Sequence, residues 1–329
     1  MDSQAHILLT GGTGFFGKAL LRHWAHQERN GTPMAQVTLL SREPQRFTSQ
    51  HPQLAAHPWL QLVQGDVCDP HSLPRCTAFT HVLHAAADST TGPGLTPQQR
   101  FDQIVNGTRN LLDLAVSCGA HRFLLTSSGG VYGAQPPDME RIPENCHTLP
   151  DPLNTANAYS IAKRMAEHLC VLYGQSHDLE AVVARCFAFV GQDLPLNVHF
   201  AIGNFIRDAL HAESITVQGD GSALRSYLDQ RDLAQWLTTM LMHGQSGQAY
   251  NVGSDRAVSI RELAYTVRDL IAPHKQVRVM GMPNPDLPRN RYIPCIAKAQ
   301  AGLGLRVNID LNDAIQFAAS VHKGRGGTP

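Results

Sequence analysis

Charge is scarce in this chain and evenly split. The 27 Lys and Arg are matched by 27 Asp and Glu, together 16% of 329 residues, for a formal net charge of zero. No broad basic footprint calls for nucleic acid or an anionic membrane, although a local patch for a phosphorylated ligand is compatible. Cysteine is also sparse: the seven are odd in number, scattered and never spaced as CxxC, which fits reduced thiols. Histidine is plentiful at 17, yet no HExxH or similar cluster gives metal-ligand spacing, and no metal is expected. No apolar run approaches the ~18 residues of a membrane span. The N-terminus enters a strand pattern by Ala5 without a basic stretch and an apolar targeting segment. These absences predict a soluble, cytoplasmic protein. At 43% hydrophobic, the chain can bury the core of one large domain or two interleaved ones.

Short apolar runs alternate with helical patterns through the first half. Strands are expected at His6–Leu9, Val37–Leu40, Leu60–Val63, His81–His84, Phe123–Thr126 and Ala181–Ala184. Helices are expected after the first glycine cluster, over Pro97–Cys118, and over Ala156–Tyr173, which lacks Pro and Gly. This alternation predicts an α/β fold, a Rossmann-type doubly wound parallel sheet. Beyond Gly191 the alternation weakens into proline-containing loops at Asp193–Asn197 and Met282–Pro294, between helical segments near Ile202–Leu210, Leu233–Met242 and Ser259–Ile271. We expect a dinucleotide-binding domain over 1–190 that regains chain near 229–256, with a strand at Ala249–Val252. A smaller, mainly substrate-binding portion is expected over 191–329, ending in a frayed tail at Gly324–Pro329.

The segment Thr10-Gly11-Gly12-Thr13-Gly14-Phe15-Phe16-Gly17 contains GxGxxG between a strand and a helix. In that context the glycines permit a tight turn and close approach of backbone amides to a pyrophosphate at a helix N-terminus. At the tip of the second strand stand Ser41 and Arg42, with no acid where NAD-binding chains usually carry one. Ser and Arg can bond a 2′-phosphate that a carboxylate would repel, so NADP is favoured while NAD stays open. Asp66-Val67, after the third strand, suits adenine recognition or a capped loop equally.

In Tyr159-Ser160-Ile161-Ala162-Lys163 a phenol and an ammonium lie four apart, on one face of the expected helix. By itself that spacing also suits an exposed surface pair. In order, TGGTGFFG, Gly65-Asp66-Val67, His84-Ala85-Ala86-Ala87, Asn106-Gly107-Thr108, Ser127-Ser128-Gly129-Gly130-Val131-Tyr132-Gly133 and YSIAK resemble the extended short-chain dehydrogenases/reductases. The resemblance is to their nucleotide-sugar epimerase/dehydratase group, and it continues through Gly219-Asp220-Gly221, Arg225, Asp232-Leu233-Ala234 and Tyr250-Asn251-Val252-Gly253.

The resemblance implies roles. Tyr159 would be the acid/base, Lys163 its stabiliser and a partner of the nicotinamide ribose, and Ser128 the hydroxyl on the reacting oxygen. Asn106 matches a position near the Lys, although a helix-interior structural Asn fits equally. Ala85 and Ala86 would line the cofactor. Arg225 would reach the diphosphate of a nucleoside diphosphate sugar, with Arg291 sharing the task. A homodimer through the 97–118 and 157–173 helices is implied as well.

Three departures bear on the reaction. Gly129-Gly130 stands where sugar 4,6-dehydratases carry Asp-Glu. Ala188 replaces a substrate-binding Asn, for which Asn197 or Asn204 could compensate. His84 and Cys186 are candidates for a second acid/base, His84 equally a strand-end residue packed near the cofactor. The expected activity is hydride transfer at carbon 4 of a nucleoside diphosphate hexose. The glycine pair leaves room for a sugar to turn, and a 4-epimerase is placed slightly ahead because the Ser-x-x-Val-Tyr-Gly segment resembles that branch more. An NADPH-dependent 4-keto-sugar reductase is the alternative. A 4,6-dehydratase, a reductase of a non-sugar carbonyl and a non-catalytic cofactor sensor rank below.

Overall fold

The computed structural model describes residues 4–75, 77–87, 94–198, 200–282, 284 and 288–325. The first half runs β1 (His6–Thr10), α1 (Phe15–Arg29), β2 (Gln36–Ser41), α2 (Pro44–Gln50), α3 (Pro52–Ala55), β3 (Leu60–Gln64), β4 (His81–His84), α4 (Pro97–Ser117), β5 (Arg122–Ser128), α5 (Ala158–Ser176) and β6 (Glu180–Cys186). The second half runs β7 (Phe189–Val190), α6 (Ala201–His211), β8 (Ser214–Val217), β9 (Leu224–Arg225), β10 (Leu228–Asp229), α7 (Gln230–His243) and β11 (Ala249–Val252). It ends with β12 (Val258–Ser259), α8 (Ile260–Ile271), β13 (Gln276–Val279), β14 (Arg291–Tyr292), α9 (Ala297–Leu303) and α10 (Leu311–Arg325).

Seven strands form one sheet in the order β11-β6-β5-β4-β1-β2-β3, every pair parallel. Strand alternation feeds both faces. Ile7 and Leu9 pack with Leu20, Trp24 and Trp236 from α1 and α7. Leu8 packs with Leu111, Leu112, Ala162 and Leu169 from α4 and α5. The order reverses between β1 and β4, and in such sheets ligands bind at the carboxyl ends beside the reversal. The glycine turn leaves β1 there, and Ala85–Ala87 leaves β4.

Helix starts follow local chemistry. Thr96 and Gln99 form a capping box before α4, with Pro97 in its first turn, and Ser259 and Glu262 do the same for α8. The second half has its own core, with Ile202, Phe205, Ile215, Leu263 and Ile315 from α6, β8, α8 and α10. Strand β11 returns to the large sheet beside β6, where a strand was expected. The expected tail lies outside the described residues from 326 onward, and Gly324 and Arg325 close α10. In the Met282–Pro294 loop, residues 283 and 285–287 are likewise outside them.

Candidate active site

The glycine turn is shaped by close backbone approach. Gly11 has φ of 69°, and a Cβ there would lie 2.4 Å from the carbonyl oxygen of Ala85. A Cβ on Gly17 would lie 2.1 Å from the Cα of Gly12, so α1 packs tightly onto the turn. Gly14 is the N-cap of α1, with no side-chain cap bond and no acid in the first turn. The helix end therefore keeps its positive partial charge toward the turn, and a dinucleotide pyrophosphate fits this cradle. Phe15 and Phe16 pack their rings with Phe189, at centroid separations of 6.3 and 5.2 Å, and so offer the turn their backbone amides.

The other predicted cofactor residues lie around the same end of the sheet. The Ala85 amide donates to the Thr10 carbonyl at 3.2 Å, and the Ala86 amide to Thr10 Oγ1 at 3.3 Å. Ser41 Oγ accepts the Glu43 amide at 3.2 Å, while Arg42 is exposed. Asp66 Oδ1 accepts the Cys68 amide at 2.9 Å, the loop-capping alternative, and Val67 is buried against Gly107. Asn106 does not reach the expected place beside the Lys. It is exposed on α4, whose inward residues are Ile104, Gly107, Thr108 and Leu111. At ~100° per residue it stands roughly 200° round the helix from Ile104.

Helix α5 opens with Tyr159 in its first turn and brings Lys163 one turn later. Lys163 Nζ lies 5.9 Å from the Tyr159 ring centroid and donates to the Thr126 carbonyl at 2.7 Å. Burial of Lys163 lowers its pKa to about 8, against the pull of Cys186, Glu167 and Cys170. Burial pushes the half-buried Tyr159 phenol up to about 12. The Ser128 hydroxyl partly offsets this, Cys186 adds to it and Arg100 opposes it. Ser128 ends β5 and its Oγ accepts the Gly130 amide at 3.1 Å, capping the short helical turn Gly129–Tyr132. Behind it, Glu167 accepts from Ser127 Oγ at 2.6 Å and pairs with Arg185 at 2.7 Å.

Of the two candidates for a second acid/base, His84 is placed otherwise. His84 is buried, with Nδ1 and Thr10 Oγ1 2.8 Å apart, and burial beside Lys163 holds its pKa down at about 3. It is a neutral strand-end residue. The Cys186 thiol is buried and pushed up to about 12 by that burial. The glycine pair does not leave the expected room either. A Cβ on Gly129 would meet the Tyr292 hydroxyl at 2.6 Å and the Phe187 ring at 2.8 Å, and one on Gly130 would meet Ser160 Oγ at 2.7 Å. The space is already filled.

On the substrate side Arg225 is half-buried. Its guanidinium donates to the carbonyls of Leu224 and Asn290, at 2.8 and 3.4 Å, and burial lowers its pKa. Asn204 accepts from Arg207 at 3.1 Å and lines a cavity of about 320 Å³ with Gly219, Asp220 and Gly221. Arg291 does not share the Arg225 position. In the parallel β9–β14 pair Arg291 is opposite Leu224, and Tyr292 is opposite Arg225. Alternation therefore turns Tyr292, which the sequence reading passed over, to the Arg225 side. The Ser128 hydroxyl favours the ionised form of Tyr292 as well as that of Tyr159. No local motif flagged Tyr292, and its two-residue strand is too short for any sequence pattern to have done so.

Comparison with known proteins extends these observations over the whole chain. Residues 7–253 match the model of the NAD dependent epimerase/dehydratase family. UDP-glucuronic acid decarboxylase 6 of Arabidopsis thaliana is 30% identical over 332 residues, spanning 100% of this chain and 92% of that protein. The UDP-glucose 4-epimerase of Thermotoga maritima, solved with UDP-glucose, has a TM-score of 0.81 at 20% identity, over 97% of this chain and 99% of that one. RMD from Pseudomonas aeruginosa, complexed with NADPH, has a TM-score of 0.77 at 25% identity, over 98% and 100%. With the glycine turn, Ser128, Tyr159 and Lys163 gathered at the carboxyl end of a doubly wound sheet, the chain belongs to the NAD-dependent epimerase/dehydratase family of nucleotide-sugar enzymes.

Proposed function

We propose that this enzyme performs hydride transfer at carbon 4 of a nucleoside diphosphate hexose, with 4-epimerisation as the outcome. One observation carries the reading. Directly after Ser128 the chain carries Gly129 and Gly130, which have no side-chain acid or base. Loss of water across carbons 5 and 6 calls for an acid and a base there, and the glycine pair brings neither. The Ser-x-x-Val-Tyr-Gly segment supports the epimerase outcome.

When bound, the nicotinamide supplies the hydride acceptor and, oxidised, a positive charge. Tyr159 exchanges a proton with the 4-oxygen, which the Ser128 hydroxyl holds by a hydrogen bond. From a pKa of about 12, work near neutrality needs the phenolate stabilised by ~5 units, or ~7 kcal/mol at 1.36 per unit. Lys163, Ser128 and the cofactor charge share that task. Arg225 suits the diphosphate as a bidentate donor. Net reduction of a 4-keto sugar by NADPH is the second reading, favoured by Ser41 and the exposed Arg42. The implied homodimer would use α4 and α5.

The test is a panel of UDP-, GDP-, CDP- and dTDP-hexoses and uronic acids, with and without NADPH, on wild type and Tyr159→Phe. Interconversion of 4-epimers without net cofactor change, lost in Tyr159→Phe, is expected. Carbon dioxide release from a uronic acid, or a 4-keto-6-deoxy product, would overturn the epimerase reading. Wild-type rates in Tyr159→Phe would overturn the mechanism.

A further inference from the structure

We infer that Glu167 is a positioning residue for the reaction, tying the helical turn that carries Lys163 to the strand end that carries Ser128. The inference rests on the hydride-transfer reading of this same site. On α5, Glu167 follows Lys163 by four residues, about one helical turn, so the two share a face. Lys163 Nζ donates to the Thr126 carbonyl at 2.7 Å. One turn on, Glu167 Oε1 accepts the Ser127 hydroxyl at 2.6 Å. Two successive turns of α5 thus hold two successive residues of β5, and the next residue is Ser128. Strand alternation explains the meeting. Phe123 and Leu125 pack with the buried residues of α4 and α5, so Ser127 projects to the same face.

The carboxylate is held from β6 as well. Ser127 and Arg185 are register partners in the β5–β6 pair, one row before Ser128 and Cys186. Arg185 Nη2 donates to Glu167 Oε2 at 2.7 Å, and its Nε to the two oxygens at 3.1 and 3.2 Å. Its Nη1 donates to the Tyr132 hydroxyl at 2.9 Å, at the far end of the turn that Ser128 caps. One carboxylate therefore joins a helix and two strands beside the site, and both members of the ion pair are largely buried. A buried ion pair seldom stabilises a fold more than apolar packing would, and its best-attested use is to fix register. Here the register is that of Tyr159 and Lys163 against Ser128. The carboxylate also favours the charged form of Lys163, against the burial that lowers its pKa. The other charged and titratable groups around Lys163 and Glu167 are Tyr159 and Cys170 on α5, Arg185 and Cys186 on β6, His84 on β4, and Tyr132 and Glu144 after β5.

The experiment is a carbon-13 NMR titration of protein labelled at the lysine ε-carbons, run on wild type, Glu167→Gln and Ser127→Ala. The Lys163 resonance is the one missing from Lys163→Met. In Glu167→Gln the Lys163 pKa is expected to fall by about one unit, a tenfold loss in the ratio of ammonium to amine at fixed pH. A carboxylate that merely held the fold together would, on removal, admit water to the amine and raise its pKa toward the ordinary 10.5. The sign of the shift separates the two roles. Ser127→Ala removes the tether and leaves the charge, so its Lys163 titration should stay in place. With a sugar substrate, Glu167→Gln should move the alkaline limb of kcat down by the same amount. Ser127→Ala should lower kcat about tenfold while KM changes little. An unmoved or raised Lys163 pKa in Glu167→Gln would overturn the inference, as would wild-type kcat in Ser127→Ala. The titration needs no sugar, so failure of the proposed reaction would show in the substrate panel alone.

Discussion

Lys163→Met tests whether the buried ammonium is held at a cost to the fold. The side chain is 3% exposed, and burial lowers its pKa from 10.5 to about 8. Each pKa unit corresponds to 1.36 kcal/mol, so below about pH 8 the folded state carries a penalty on the order of 3 kcal/mol for keeping this amine charged. The bond from Nζ to the Thr126 carbonyl survives deprotonation, since a neutral amine still donates. The sign follows from proton counts. Below about pH 8 both folded and unfolded chains hold the proton, and the penalty is complete. Between about 8 and 10.5 the folded chain has released it while the unfolded chain keeps it, so stability contributed by this group rises with pH. Above about 10.5 the penalty is gone.

Methionine fills similar space without a charge, and the variant should lose this pH dependence. In urea unfolding, the stability of Lys163→Met minus that of wild type should fall by about 3 kcal/mol between about pH 7 and 10.5. Tyr159 stays protonated over this range in both proteins, its folded pKa being about 12, and cancels in the difference. A difference that stays level across the range would refute the argument that Lys163 is buried against its own charge. Turnover should collapse in the variant at every pH, so any stability gained is gained at the expense of the phenolate's partner.

Two further outcomes follow from side chains near the site. Arg185 bonds Glu167 at 2.7 Å, the Tyr132 hydroxyl at 2.9 Å and the Glu144 carbonyl at 3.0 Å, while the Glu167 side chain is only 12% exposed. Arg185→Met strands that carboxylate and should cost about 3–5 kcal/mol in urea unfolding, with Arg185→Met/Glu167→Leu recovering more than half; a single-variant loss below about 1 kcal/mol would contradict it. On the outer face of α5, Met165 and Leu172 are 41% and 43% exposed and seven residues apart. For the homodimer we propose, Met165→Glu/Leu172→Glu should bring the sedimentation mass down from two chains to one, and an unchanged mass would count against that face.

The large sheet was readable because its inner strands are buried on both faces. Continuous runs such as Ile7-Leu8-Leu9 and Val82-Leu83 need no alternation to stand out, and the glycine turn fixes which strand comes first. Apart from β11, the second half hid its strands because they are short. β7, β9, β10, β12 and β14 have two residues each, too few for any periodicity to register. Helices α6, α7 and α8 were visible there because an amphipathic stripe spans several turns, whereas α10 was not anticipated.

At the site, what was legible lay on single elements and what was missed lay between them. Tyr159 and Lys163 share one helix, so their spacing predicts their proximity, and the distance of 5.9 Å between ammonium and ring agrees. Asn106 failed on the same ground: on α4 it is Ile104 that is buried, and helical phase alone separates the two residues. The empty-looking Gly129-Gly130 pair failed for the opposite reason. A glycine in sequence signals a missing side chain, but whether the space is open depends on what other elements deliver to it. Here β14 delivers Tyr292, from more than 160 residues further along the chain, through a pairing with β9 that only the tertiary structure reveals. The absence of a side chain at 129 and the presence of the Tyr292 phenol are then one feature of the packing. A substitution that adds bulk at 129 must displace the Tyr292 hydroxyl and the Phe187 ring together.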